Sequence, residues 1–153
     1  MFARITLQSL LDHTTRRILE SLKANIPGQL LLIGKIGFDG ASGQSMYKQK
    51  FENPESEDQS IFATAYVPLK LCLLNDEAQI IWENPRPSST LFCRPVNFQF
   101  IKESREVIQD AWQSVENKIS LLTLTKIDTK TSVKHKILTT MFDGKICSTI
   151  AGF

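Results

Sequence analysis

The chain has 153 residues, enough for one domain with a core of its own. Hydrophobic residues make up 42% and charged residues 22%, with a net charge of +2, which excludes a low-complexity or strongly basic chain as a class. Three cysteines with no CxxC spacing and only two histidines argue against a disulfide scaffold and against a zinc site built from this segment alone, and no apolar run reaches the ~18 residues a membrane span needs.

In chain order, residues 5–24 carry Ile5, Leu7, Leu10, Leu11, Ile18, Leu19 and Leu22 at helical spacing, interrupted between Asp12 and Arg17. This predicts one helix ended before Pro27-Gly28, with His13 at the surface. Residues 29–39, QLLLIGKIGFD, are apolar on both phases up to Lys35, as in a central strand. Residues 40–60 are polar and contain Gly40, Gly43 and Pro54, so a long loop is expected. Residues 61–74 form the next strand, with Pro68 marking an edge, a bulge or a break. Residues 78–83 return as its hairpin partner across a turn at 75–77. The prolines of NPRPSS (84–89) prevent regular structure, and 92–101 alternates as a half-buried strand. Residues 103–120 place Val107, Ile108, Trp112, Val115 and Ile119 on one side of an amphipathic helix. Two further strands, 121–127 and 131–143, flank a polar turn, and His135 is read as a solvated residue between Lys134 and Lys136.

This order predicts an α/β fold. Three antiparallel strands come first, then a crossover helix, then a strand beside the first, with an additional N-terminal helix. That layout is ribonuclease-H-like. Residues 1–28 are expected as a helical segment, and 29–153 as the first half of such a domain. In this arrangement Asp39 and Asp143, each inside a Phe-Asp-Gly step, end neighbouring strands. Asp-Gly is also the strongest short hairpin signal, so two turns are the competing reading. Two adjacent carboxylates repel unless a cation joins them, and Mg²⁺ or Mn²⁺ suits a site of few carboxylates completed by water and phosphate. Two such ions clamp a phosphodiester for in-line attack.

The block IWENPRPSSTLFCRPVNFQFIKES (81–104) resembles a stretch of the catalytic subunit of the V(D)J recombinase, in which Phe-Glu-Glu-Pro-Lys-Pro-Asn-Ser leads to Cys-Cys-Lys-Pro and then Asp-Glu-Ser. The matching residues are Glu83, Pro85, Arg86, Pro87, Cys93, Arg94, Pro95, Glu103 and Ser104. GFDG resembles the family's first Cys-Asp-Gly, and TTMFDGKICSTIAG its Gly-Thr-Gly-Tyr-Asp-Glu-Lys-Leu segment. Transib transposases share this core. The resemblance covers residues 29–153 and departs at DGASGQS after Asp39 and at Gly144 after Asp143. It implies a DNA transposase or recombinase segment of the DDE type, with Asp39 and Asp143 as catalytic metal ligands for Mg²⁺ or Mn²⁺ and Glu103 as a supporting acid. A first-turn acid favouring the helix dipole is the other reading of Glu103. It further implies a DNA partner, a homodimer that can include an accessory subunit, and a nuclear location, with no membrane and no zinc in this segment.

The family's third acid lies beyond a zinc-binding insertion that this segment lacks, so the chain is expected to be inactive by itself. Lys48, Lys50, Arg86 and Arg94 are the DNA-backbone candidates, with solvated surface as the alternative. A non-catalytic, transposon-derived DNA-binding or interaction module is the rival function.

Overall fold

A computed structural model describes residues 2–42 and 60–141. The first helix, α1 (Leu7–Leu22), starts at Thr6, whose hydroxyl accepts the Ser9 N–H at 3.3 Å. It stops at Lys23, which adopts a left-handed backbone conformation. Its buried stripe is Leu7, Leu10, Leu11, Thr14, Thr15 and Ile18. The polar interruption seen in the sequence is therefore spanned by two threonines. Thr15 donates its hydroxyl to the Leu11 carbonyl at 2.7 Å, so the helix itself satisfies the polar group.

Seven strands form one mixed sheet among the described residues. They are β1 (Phe2–Arg4), β2 (Gly28–Ser42), β3 (Ser60–Leu73), β4 (Asp76–Glu83), β5 (Arg94–Gln99), β6 (Thr125–Lys126) and β7 (Thr131–Met141). The spatial order is β1-β5-β3-β2-β7-β6, with β4 also on β3. β3 is antiparallel to both of its neighbours β2 and β5, whereas β7 lies parallel to β2. A parallel pair needs a crossover. α2 (Arg105–Ser120) supplies it between β5 and β7, and Ser104 caps its first turn by accepting the Val107 N–H. The expected succession of antiparallel strands, crossover helix and parallel return is what these residues form.

Both helices cover the same face. Leu7, Leu10 and Leu11 of α1 and Ile108 and Val115 of α2 share a core with Ile36, Phe38, Phe62, Tyr66 and Val96. Leu11 and Ile108 are fully buried, and burial of each side chain of this kind contributes about 1.5–3 kcal/mol. Trp112 packs against this core as a partly buried residue. A second cluster of Ile18, Leu30, Leu32, Leu71 and Val133 continues it along the sheet. In mid-strand, the Tyr66 ring occupies the space a side chain on Gly34 would need.

Pro68 shows how a residue without an N–H is accommodated. β3 pairs outward with β5 as far as Tyr66 and with β4 from Lys70 onward. Pro68 stands at this change of partner, and the ladder to β2 shifts register there. Asn84, buried after β4, donates to the Pro68 carbonyl at 2.7 Å and ties the two edges together.

Three sequence expectations are corrected. β2 runs on through Gly40–Ser42, paired with Phe62–Ser60, where a loop was expected. Of residues 121–127 only Thr125 and Lys126 form a strand, because the Thr123 N–H is taken by Gln8 Oε1 at 2.9 Å instead of a neighbouring strand. His135 is half-buried rather than solvated, its Nε2 lying 2.7 Å from the Thr125 hydroxyl oxygen.

Candidate functional site

Asp39 lies near the carboxyl end of β2, opposite Ala63 of β3. It is therefore a strand residue, and the turn reading of this Asp-Gly step is excluded. The side chain is exposed, and no described residue hydrogen-bonds or ion-pairs with it. Phe38, one residue earlier, belongs to the helix-covered core and stacks on Phe62 with ring centroids 5.8 Å apart. Strand alternation consequently turns Asp39 toward the other face and Gly40 toward the helices.

Gly40 is where Glu103 arrives. The Glu103 carboxylate occupies the place a Cβ on Gly40 would take. Glu103 immediately precedes the Ser104 cap, so the start of α2 delivers its carboxylate to the residue beside Asp39. The absence of a side chain at Gly40 is what permits this approach. Asp39 and Glu103 thus flank one strand end from its two faces.

β7 reaches the same end. Its register to β2 shifts between Ile36 and Gly37, so that Thr139 is opposite Ile36 and Met141 opposite Gly37. Asp143 lies outside the described residues, as do Lys48 and Lys50. Arg94 is opposite Tyr66, which is opposite Ile36, so β3 separates it from β2 and it lies three residues short of Asp39. That is roughly 10 Å along the strands and 10 Å across them. The buried Nε of Arg94 has no hydrogen-bond partner among the described residues. Arg86 is exposed in the loop after β4, its backbone N–H held by the Asn84 side chain at 2.9 Å. Neither arginine is brought to Asp39 by the sheet. No family model matches the chain, and no curated protein matches it.

The donor set at the strand end consists of carboxylate oxygens, which fit a hard divalent cation better than a thiophilic one. Asp39 offers one exposed carboxylate there, and among the described residues no group of three or more His, Cys, Asp or Glu could hold a metal ion. Glu103, approaching from the opposite face, is placed to brace the strand end at Gly40.

A second polar cluster lies at the other end of the sheet, and sequence reading missed it. Asp12 Oδ1 accepts the Thr125 hydroxyl at 2.5 Å and the Gln8 amide at 2.9 Å. With the Thr125 proton directed to Asp12, His135 donates its Nε2 proton to Thr125, leaving a buried Nδ1 with no partner among the described residues. Burial pushes the His135 pKa down to about 4, against a smaller upward pull from Asp12. The imidazole is neutral near pH 7. α1, β6 and β7 are bound together by this chain of bonds. Only the period-two alternation of β7 could have signalled it, by placing His135 on the phase of Val133 and away from Lys134 and Lys136.

Proposed function

We propose that the chain is the first part of a ribonuclease-H-like catalytic domain of a DNA transposase or recombinase. One observation carries this reading. β2 and β7 are parallel neighbours with Gly37 opposite Met141, and Asp39 and Asp143 each follow two residues later in the sequence. The reading requires that this register continue, which would put the two carboxylates on one face, since paired residues of parallel strands point the same way.

In this reading Asp39 and Asp143 are the metal ligands. Glu103 fixes the strand end from the helix side and keeps the ligands in position. A bound Mg²⁺ or Mn²⁺ supplies water activation and neutralises charge on a phosphodiester. The exposed side of Asp39 leaves room for a phosphate to approach. DNA is the substrate, a homodimer is the working form, and the nucleus is the place of action. Among the described residues no helix is long and apolar enough to cross a membrane.

Calorimetric titration with Mn²⁺ tests the proposal. Heat of binding is expected for the chain and none for the Asp39→Asn, Asp143→Asn double variant. Equal heats for the two proteins would overturn the reading.

A further inference from the structure

The polar cluster beside α1 forms one wall of an open cleft of about 620 Å³, lined by Gln8, Asp12, Arg16, Thr123, Leu124 and Lys126. Residues 8, 12 and 16 are four apart and present one stripe of the helix. Across from them run residues 123–126. The walls are tied to one another. The Thr123 N–H donates to Gln8, Gln8 and Thr125 donate to Asp12, and Arg16 Nη2 donates to the Lys126 carbonyl at 3.3 Å.

Charge in the cleft is unbalanced. Arg16 and Lys126 are exposed, and neither is ion-paired with a described residue. Asp12 is the one carboxylate on the walls, and its Oδ1 is engaged by two donors. His135 behind it is neutral near pH 7 and adds no charge. Arg17 and Lys23 are exposed further along α1, opposed there by Glu20. Arg16 and Lys126 both line this open, polar cleft, and a pair of cations complements a phosphate group better than a carboxylate-lined surface does.

We infer that this α1–β6 cleft grips the phosphate backbone of a nucleic acid, as a contact separate from the strand end that carries Asp39. The partner class rests on the DNA reading above, whereas the site rests on Arg16 and Lys126. Lys126 is opposite Ser132, and Ser132 is opposite Gln29, ten residues before Asp39 along β2. The two sites are therefore roughly 30 Å apart along the sheet. Substitution at one leaves the other intact.

Fluorescence anisotropy with a labelled DNA duplex in EDTA tests the inference without metal chemistry. Removing two phosphate contacts lowers the salt sensitivity of binding, so the ratio of affinities between about 50 and 200 mM salt is expected to fall about tenfold for the Arg16→Gln, Lys126→Gln pair. The charge-keeping Arg16→Lys, Lys126→Arg pair is expected to bind like the parent chain, with thermal melts confirming that both pairs fold. The inference is overturned by an unchanged salt slope in the glutamine pair, by absence of duplex binding in the parent chain, or by displacement of the duplex by inorganic phosphate alone. An unchanged slope with intact Mn²⁺ heats sinks the cleft and spares the strand-end reading. Normal duplex binding with Mn²⁺ heats unaffected by the aspartate double variant does the reverse.

Discussion

The two ends of the β2–β7 pair handle polar groups in opposite ways. At the amino end, Asp12, Thr125 and His135 are linked in series by hydrogen bonds inside the protein, with the buried His135 Nδ1 left without a partner among the described residues. At the carboxyl end, Asp39 is exposed, without a bond to any described residue, and Gly40 is kept bare for Glu103. A satisfied buried network rigidifies a fold. An exposed carboxylate at a strand end contributes little to stability and remains available to a ligand. The comparison teaches where a bonded framework and an open acid are separated in this molecule: the amino end ties α1 to β6 and β7, and the carboxyl end presents an acid.

The largest expected effect breaks both ends together. Gly34→Ala forces a Cβ into the ring of Tyr66, which is only 1% exposed and cannot move outward. Overpacking of this kind costs about 3 kcal/mol, measured as a lowered denaturation midpoint. Thr125→Val comes next and strikes the amino end alone. The valine keeps the shape but removes the hydroxyl between Asp12 and His135, leaving both with one partner fewer. A loss of about 2 kcal/mol is expected in chemical denaturation, with Mn²⁺ heats unchanged. Gly40→Ala gives the reverse pattern. Displacing the flexible end of Glu103 costs about 1 kcal/mol or less, yet it perturbs the strand end that carries Asp39, so the Mn²⁺ titration is where its effect appears.

Much of the fold was legible because it follows from periodicity. α2 kept its apolar stripe, and the alternation of β5 and the long apolar run of β2 gave their strands. β1 was not legible. Three residues contain no period to read, and β1 exists through its register with β5, Phe2 opposite Gln99 and Arg4 opposite Asn97. Leu121 and Leu124 misled in the other direction, since β-forming residues were read as a strand although they are 78% and 48% exposed. The site divided similarly. Asp39 at the end of an apolar strand and Glu103 at a helix start are local signals, although Glu103 precedes the Ser104 cap and is not the first-turn acid the sequence also allowed. That Glu103 meets Gly40 depends on where α2 crosses the sheet, and that Asp12 meets Thr125 depends on a contact between segments 113 residues apart.

Titration sharpens the amino end. The folded-state pKa of His135 lies at about 4, below the ordinary histidine value of 6.5, because burial disfavours the charged ring. The unfolded chain therefore takes up a proton first as pH falls. Stability is unaffected by this group above about pH 6.5 and is lost between about 6.5 and 4 at no more than about 1.4 kcal/mol per pH unit. Below that window both states carry the proton and the contribution is flat. His135→Gln, whose amide can still donate to Thr125, is expected to remove this slope from a pH series of urea midpoints while leaving other slopes in place.

The smallest stability effect belongs to the residue on which the functional reading depends most. Asp39→Asn removes an exposed charge that bonds to no described residue, and the ladder partner Ala63 is unaffected by the change. The denaturation midpoint is expected to stay within about 0.5 kcal/mol of the parent. The Mn²⁺ heat is expected to vanish, because an amide oxygen carries no net charge and binds a hard cation far more weakly than a carboxylate. A variant that melts early would mean that Asp39 belongs to the framework, like Asp12. A variant that melts normally and loses the heat would mean that the carboxyl end of β2 exists to present this acid.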